Sequence, residues 1–156
     1  FEFLILESFQ AGLSWYTILA KRENFRKVFD KFDYKKIAKY SPEKVEALMQ
    51  DTGIIRNRLK ILATINNAQK FMEVQKEFGS FSTYIWGFVG RKPIINHPKT
   101  LKDVPATTAI SDALAKDLKK RGFKFMGSTV MYAHMQATGM VNDHVEDCHC
   151  KINVTI

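Results

Sequence analysis

Apolar positions recur at helical spacing along almost the whole chain. Residues 1–20 carry an apolar stripe broken at Ala11-Gly12, and residues 23–30 make a short amphipathic piece through Phe25, Val28 and Phe29. Ser41-Pro42-Glu43-Lys44 sets a capping hydroxyl before a proline at the first helical position, so a helix is predicted there. Val45, Leu48 and Met49 supply its buried face, and Gly53 is expected to end it as the C′ residue. A long helix is predicted over about 57–77, with Leu59, Leu62, Ala63, Ala68, Phe71 and Val74 facing inward. Residues 81–89 read as another short helix and residues 90–105, with three prolines, as a loop. Two further helices are predicted at 107–118 and 128–136. No segment alternates like a strand, repeats itself or is of low complexity. The expected fold is all-α, a compact helical bundle forming one domain over residues 1–156.

Composition agrees with a globular protein. Of 156 residues, 46% are hydrophobic and 26% charged, enough to build one real core. No apolar run approaches the roughly 18–20 residues of a membrane span, so no membrane partner is expected. Both cysteines fall within the last nine residues, which excludes a disulfide-stapled scaffold and points to a reducing cytoplasm. No capping residue precedes the apolar run that opens at Phe1. The first helix thus begins in mid-turn, and a further N-terminal segment is expected.

Charge is unevenly placed. The formal net charge is +8, from 24 Lys and Arg against 16 Asp and Glu. Residues 53–124 hold 14 of the cations and 5 of the acids, a net of +9, whereas the other 84 residues hold 10 and 11. Solvated helix faces account for most single lysines, but a basic excess in one region suits a polyanion.

That region ends in Lys119-Lys120-Arg121-Gly122-Phe123-Lys124-Phe125-Met126-Gly127, which joins the last two predicted helices. A short glycine-containing turn between helices presents unpaired N–H groups and a helix dipole to a phosphate. Gly127 permits close approach of a DNA backbone, and Lys119, Lys120, Arg121 and Lys124 surround the turn with positive charge. Phe123, Phe125 and Met126 are expected to anchor it. A solvated basic turn in an ordinary helical hairpin is the plain alternative.

Glu7 interrupts the strongly apolar run Leu4-Ile5-Leu6, where an ionised carboxylate is costly unless paired. Such acids carry a raised pKa or a cationic partner. Trp15 lies eight residues on, about 80° around an ideal helix, so both could border one pocket. A carboxylate beside an indole suits a flat cationic ligand; a glutamate reaching water beside a core tryptophan is the simpler reading. Near the C-terminus, the four-residue spacing of His144 and Cys148 sets an imidazole and a thiolate one helical turn apart, a spacing suitable for two zinc ligands. His149 and Cys150 are possible additions, and a free-thiol tail is the bland alternative.

These features in this order resemble the bacterial DNA-3-methyladenine glycosylase I family of the helix-hairpin-helix glycosylase superfamily. The matching stretches are Gln10-Ala11-Gly12-Leu13-Ser14-Trp15, Lys21-Arg22-Glu23-Asn24, Asp51-Thr52-Gly53-Ile54-Ile55-Arg56, Ser111-Asp112-Ala113-Leu114, Lys119-Lys120-Arg121-Gly122-Phe123-Lys124-Phe125 and Val141-Asn142-Asp143-His144. The resemblance implies a cytoplasmic, monomeric enzyme that binds double-stranded DNA containing alkylated adenine, excises N3-methylated adenine and releases free 3-methyladenine. It implies that Glu7 is the catalytic, base-binding acid and that Trp15 walls the pocket. It further implies DNA contact by Lys119, Lys120, Arg121, Gly122, Lys124 and Gly127 within a helix-hairpin-helix element at 116–138. His144 and Cys148 would supply half of a structural zinc site, the other half coming from the family's N-terminal segment. Phe125 stands where many superfamily relatives have glycine. The family lacks the catalytic aspartate of those relatives, so Asp143 is not given that role. The rival class is a non-catalytic, zinc-stabilised helical DNA-binding module with Glu7 as a structural acid.

Overall fold

The first helix, α1 (Glu2–Phe9), runs through the centre of the fold because its sequence leaves it no polar face. Leu4, Ile5, Leu6 and Phe9 are fully buried, and Glu7 and Ser8 are buried with them. The structure, a computed structural model, describes residues 1–151, so the last five residues of the expected 1–156 domain lie outside the described residues.

The break at Ala11-Gly12 is a reversal of the chain. Gly12 takes φ +78°, the Leu13 amide donates to the Gln10 carbonyl at 2.7 Å, and Ser14 caps α2 (Trp15–Val28) by accepting from the Thr17 amide. The short piece expected at 23–30 is the second half of this one continuous helix. Its Phe25 packs with Phe9 and with Phe29, which stacks in turn on Phe32. Each aromatic or aliphatic side chain so buried contributes roughly 1.5–3 kcal/mol. Asp30, Lys31 and Phe32 all hold positive φ, a conformation that costs L-residues about 1–2 kcal/mol each. Burial of Phe32 and the hydrogen bond from the Tyr40 hydroxyl to Asp30 offset that cost.

The short α3 (Tyr34–Ile37), which periodicity missed, is capped by Asp33. Helix α4 (Pro42–Gln50) starts at Ser41 and Pro42 as expected. Gly53 is not its C′ residue. The helix ends two residues earlier, at Asp51, and Gly53 is required because a Cβ there would lie 2.0 Å from Asn24 Nδ2.

Helix α5 (Arg58–Phe78) is the spine. Its buried stripe is Lys60, Ile61, Ala63, Thr64, Asn67, Ala68, Phe71 and Val74. Leu59 and Leu62, expected inside, are exposed; Leu59 is 68% accessible. The inward face is set by where α1, α3 and α6 (Phe81–Gly87) pack, and it carries polar groups that a hydrophobic count passes over. Helices α7 (Ala109–Lys120) and α8 (Ser128–Ala137) pack on each other, and α8 packs on α1. A two-residue parallel pairing of β1 (Ile94–Ile95) with β2 (Val141–Asn142) interrupts an otherwise all-α architecture. Two residues are too few to alternate, so this pairing has no sequence signature.

Candidate functional site

Glu7 is only 4% exposed in the middle of α1. Burial alone pushes its pKa up to about 7, because desolvation disfavours the charged form. It carries the raised pKa expected of a functional acid and has no cationic partner shifting it back. Trp15 opens α2, partly buried against the core. The two residues therefore stand on successive helices, and the angle of an unbroken helix does not relate them. Any proximity comes from the Gln10–Ser14 reversal, not from helical pitch.

The joint between α7 and α8 is a tight hairpin built from two left-handed residues, Gly122 at φ +88° and Phe125 at φ +57°. A Cβ on Gly122 would also lie 3.1 Å from Lys70 Cε. Phe123 and Met126 are buried and anchor the turn, but Phe125, expected to do the same, is 44% exposed. Its positive φ goes with a side chain turned out of the core, as Lys124 is, while Phe123 and Met126 turn in.

Two asparagines of α5, unremarked in the sequence, hold this hairpin. Asn67 Nδ2 donates to the Lys124 carbonyl at 2.8 Å and its Oδ1 accepts from the Lys124 amide at 2.8 Å. Asn66 Nδ2 donates to the Gly122 carbonyl, also at 2.8 Å. The Ser111 and Ser128 hydroxyls meet at 2.8 Å, tying the first turn of α7 to that of α8.

Lys119, Lys120 and Lys124 are exposed. Lys116, Lys119, Lys124, Phe125 and Gly127 line a cleft of about 610 Å³ along the hairpin, which Glu7 and Trp15 do not reach. Gly127 is the N-cap of α8, and no side chain caps that helix, leaving its first amides available to an acceptor. Arg121 departs from the expectation. Its guanidinium bonds Asp117 at 2.7 Å and Glu77 at 2.7 and 3.2 Å, and sits over the rings of Phe78 and Tyr84. Three of its five N–H donors are engaged within the protein, so it braces α7 against α5, unlike the unpaired hairpin lysines.

At the C-terminal end, His144 Nδ1 and Cys148 Sγ lie 3.5 Å apart. A turn brings them together, not the helix assumed from their spacing. With Zn–N of about 2.0–2.1 Å and Zn–S of about 2.3 Å, tetrahedral coordination sets the two donor atoms about 3.5 Å apart, so this pair fits half of a zinc site. His149 and Cys150 donor atoms lie within 4.8 Å of Cys148 Sγ. His97, in the 90–105 loop, pairs with Glu146 at 2.7 Å. Asp143 accepts from Tyr132, Gln136 and Asn96 at 2.6–2.8 Å and so cross-links the β2 end to α8 and the 90–105 loop.

Lys60 is a further buried cation that sequence reading missed. It is 8% exposed, and its Nζ donates to the Phe9 carbonyl at 3.2 Å.

Comparison with known proteins places these features in context. The methyladenine glycosylase family model matches residues 1–151. DNA-3-methyladenine glycosylase of Haemophilus influenzae is 50% identical over 97% of this chain and 82% of its own length. A crystal structure of 3-methyladenine DNA glycosylase I superposes with a TM-score of 0.93 at 50% identity, covering 96% of this chain and 82% of that one. A variant of 3-methyladenine DNA glycosylase I solved in complex with 3-methyladenine superposes equally well at 35% identity, over 96% of this chain and 81% of that one.

Proposed function

The chain belongs to the methyladenine glycosylase family, and from that membership we infer that it is a base-excision repair glycosylase. It hydrolyses the N-glycosidic bond of 3-methyladenine in alkylated DNA and leaves an abasic site. The alternative of a non-catalytic zinc-stabilised DNA-binding module is set aside because the relatives the chain matches are DNA-3-methyladenine glycosylases.

The observation that carries the site assignment is the buried Glu7 carboxyl, whose pKa only desolvation shifts. We propose that it binds the extruded base. Methylation at N3 makes adenine cationic and weakens its glycosidic bond, since the base then leaves neutral. Ionised Glu7 accepts from the exocyclic N6–H and balances the ring charge; guanine offers an oxygen there, which a carboxylate repels. Trp15 packs against the ring. Water attacks the sugar carbon as positive charge develops on it, the electron pair of the C–N bond leaves with the base, and the attacking water loses a proton. Less catalytic force is needed than for an unmodified base.

The hairpin supports a second role. Exposed Lys119, Lys120 and Lys124, the turn at Gly122 and the uncapped start of α8 at Gly127 are suited to the phosphates of double-stranded DNA. They hold the duplex while the damaged nucleotide, the one cheapest to unstack, is extruded. His144 and Cys148 are the residues that would hold a structural zinc. The ion's chemistry there would be to fasten the C-terminal segment, and no reacting atom depends on it. The enzyme is proposed to act as a monomer.

The test is excision from methylated duplex DNA by full-length protein and its Glu7→Gln variant, with metal analysis of the same samples. Loss of excision and of free 3-methyladenine binding in the variant is expected. Full retention of both overturns the assignment of Glu7.

A further inference from the structure

Lys60 has no task in the mechanism above, yet its position is an unusual one for a lysine. Asn57 caps the first turn of α5 by accepting from the Lys60 amide at 3.1 Å, which fixes the backbone. The side chain then runs inward to the last residue of α1, where Nζ donates to the Phe9 carbonyl. That carbonyl is two residues beyond Glu7. On its other side Nζ lies 6.0 Å from the centre of the Phe125 ring, the exposed residue of the hairpin. Lys60 therefore stands where the helix carrying the base-binding acid meets the tip of the phosphate-binding turn.

Its charge is not compensated there. Burial lowers its pKa, with no acid raising it. One of three ammonium protons is used, on a carbonyl. A buried cation left in this state is unfavourable unless an anion joins it. Glu7 shows the mirror image, a buried acid with no cation shifting its pKa. The two groups do not relieve each other, which leaves an uncompensated acid on α1 and an uncompensated cation on α5.

An N3-methylated nucleotide has the complementary pattern, a cationic base joined through its sugar to an anionic phosphodiester. We propose that Lys60 binds the phosphodiester of the extruded nucleotide while Glu7 binds its base. Lys60 is thus a positioning residue that recognises the backbone from the scaffold side, separately from the hairpin. Glu7 distinguishes the cationic base from a neutral one, whereas Lys60 recognises a phosphodiester that every nucleotide carries.

This inference rests on the glycosylase reading, and the experiment keeps the two apart. Full-length protein is titrated with a duplex containing a tetrahydrofuran abasic site at several salt concentrations, and separately with free 3-methyladenine. Lys60→Gln keeps a donor for the Phe9 carbonyl but removes the charge, and Lys60→Arg keeps the charge. With Lys60→Gln the slope of log K against log salt should become shallower by about 0.9, the value for one lost phosphate contact. Its affinity for the free base should stay unchanged, and Lys60→Arg should restore the slope. An unchanged salt slope in Lys60→Gln overturns the proposal and leaves Lys60 as a cap on α1. If Glu7→Gln fails to weaken free-base binding, the reading of Glu7 falls while the Lys60 slope still stands as measured.

Discussion

Asn67 grips both backbone groups of Lys124 across 57 residues of sequence, its side-chain amide donating to the carbonyl and accepting from the amide at 2.8 Å each. Asn67 is itself 1% exposed, so this clamp is a part of the core that emerges at the hairpin. It pins the residue beside Phe125, where the backbone takes its second left-handed turn.

Asn67→Ala removes both bonds and leaves the Lys124 N–H and C=O without these partners. A loss of about 2–3 kcal/mol is expected, measurable by urea denaturation. Because the hairpin loosens while α1 is untouched, affinity for duplex DNA should fall and binding of free 3-methyladenine should not. Equal loss of both would mean that the clamp supports the whole fold instead of the hairpin.

Glu7 makes stability depend on pH in an unusual direction. Its folded pKa of about 7 lies above the ordinary 4.5, so between these values the folded state binds more protons than the unfolded one. Stability is therefore lost as pH rises from about 4.5 to about 7. Glu7→Gln should match the parent below that window and melt at a higher temperature above it. In excision, kcat/KM of the parent should fall as Glu7 protonates below about pH 7. Melting curves across pH, with a pH–rate profile, check both limbs.

Cations of the hairpin should separate into two groups. Lys119→Met and Lys124→Met should each weaken DNA binding regardless of sequence and reduce the salt slope by about 0.9, with little change in melting temperature. Arg121→Met should instead lower stability by on the order of 1 kcal/mol, since its ion pairs are partly solvent-screened, and leave the salt slope alone. Anisotropy titrations and thermal melts of the three variants together decide the matter.

His134 predicts acid sensitivity. It is buried on α8 with Nδ1 unpartnered, and burial lowers its pKa to about 4. The unfolded chain takes up the proton first, near 6.5, so stability is lost as pH falls from about 6.5 to about 4. His134→Phe should remove that loss while filling the same space. The melting temperature of the variant should exceed that of the parent at pH 5 by more than at pH 7.5. A constant difference would locate the acid-sensitive group elsewhere.

Much of the fold was legible from local pattern. The caps at Ser41 and Pro42, the long α5 and the pair α7 and α8 all follow from side chains three and four residues apart, which an isolated helix already brings together. The oddity of Glu7 was legible in the same way, because an acid inside a short apolar run has nowhere local to find a partner.

Other features depend on contacts that only the packed chain creates. Leu59 and Leu62 face solvent while Asn67 and Lys60 face inward, because the position of α1 and the hairpin, not hydrophobicity, chose which side of α5 is covered. Arg121 looked like one more hairpin cation until Glu77, 44 residues away, took two of its donors. Lys60 reaches Phe9 over 51 residues. By itself the sequence determined most of the helices, the family and the acid at the centre. Tertiary structure decided which polar groups are free to meet a ligand, since that depends on desolvation and on partners far along the chain.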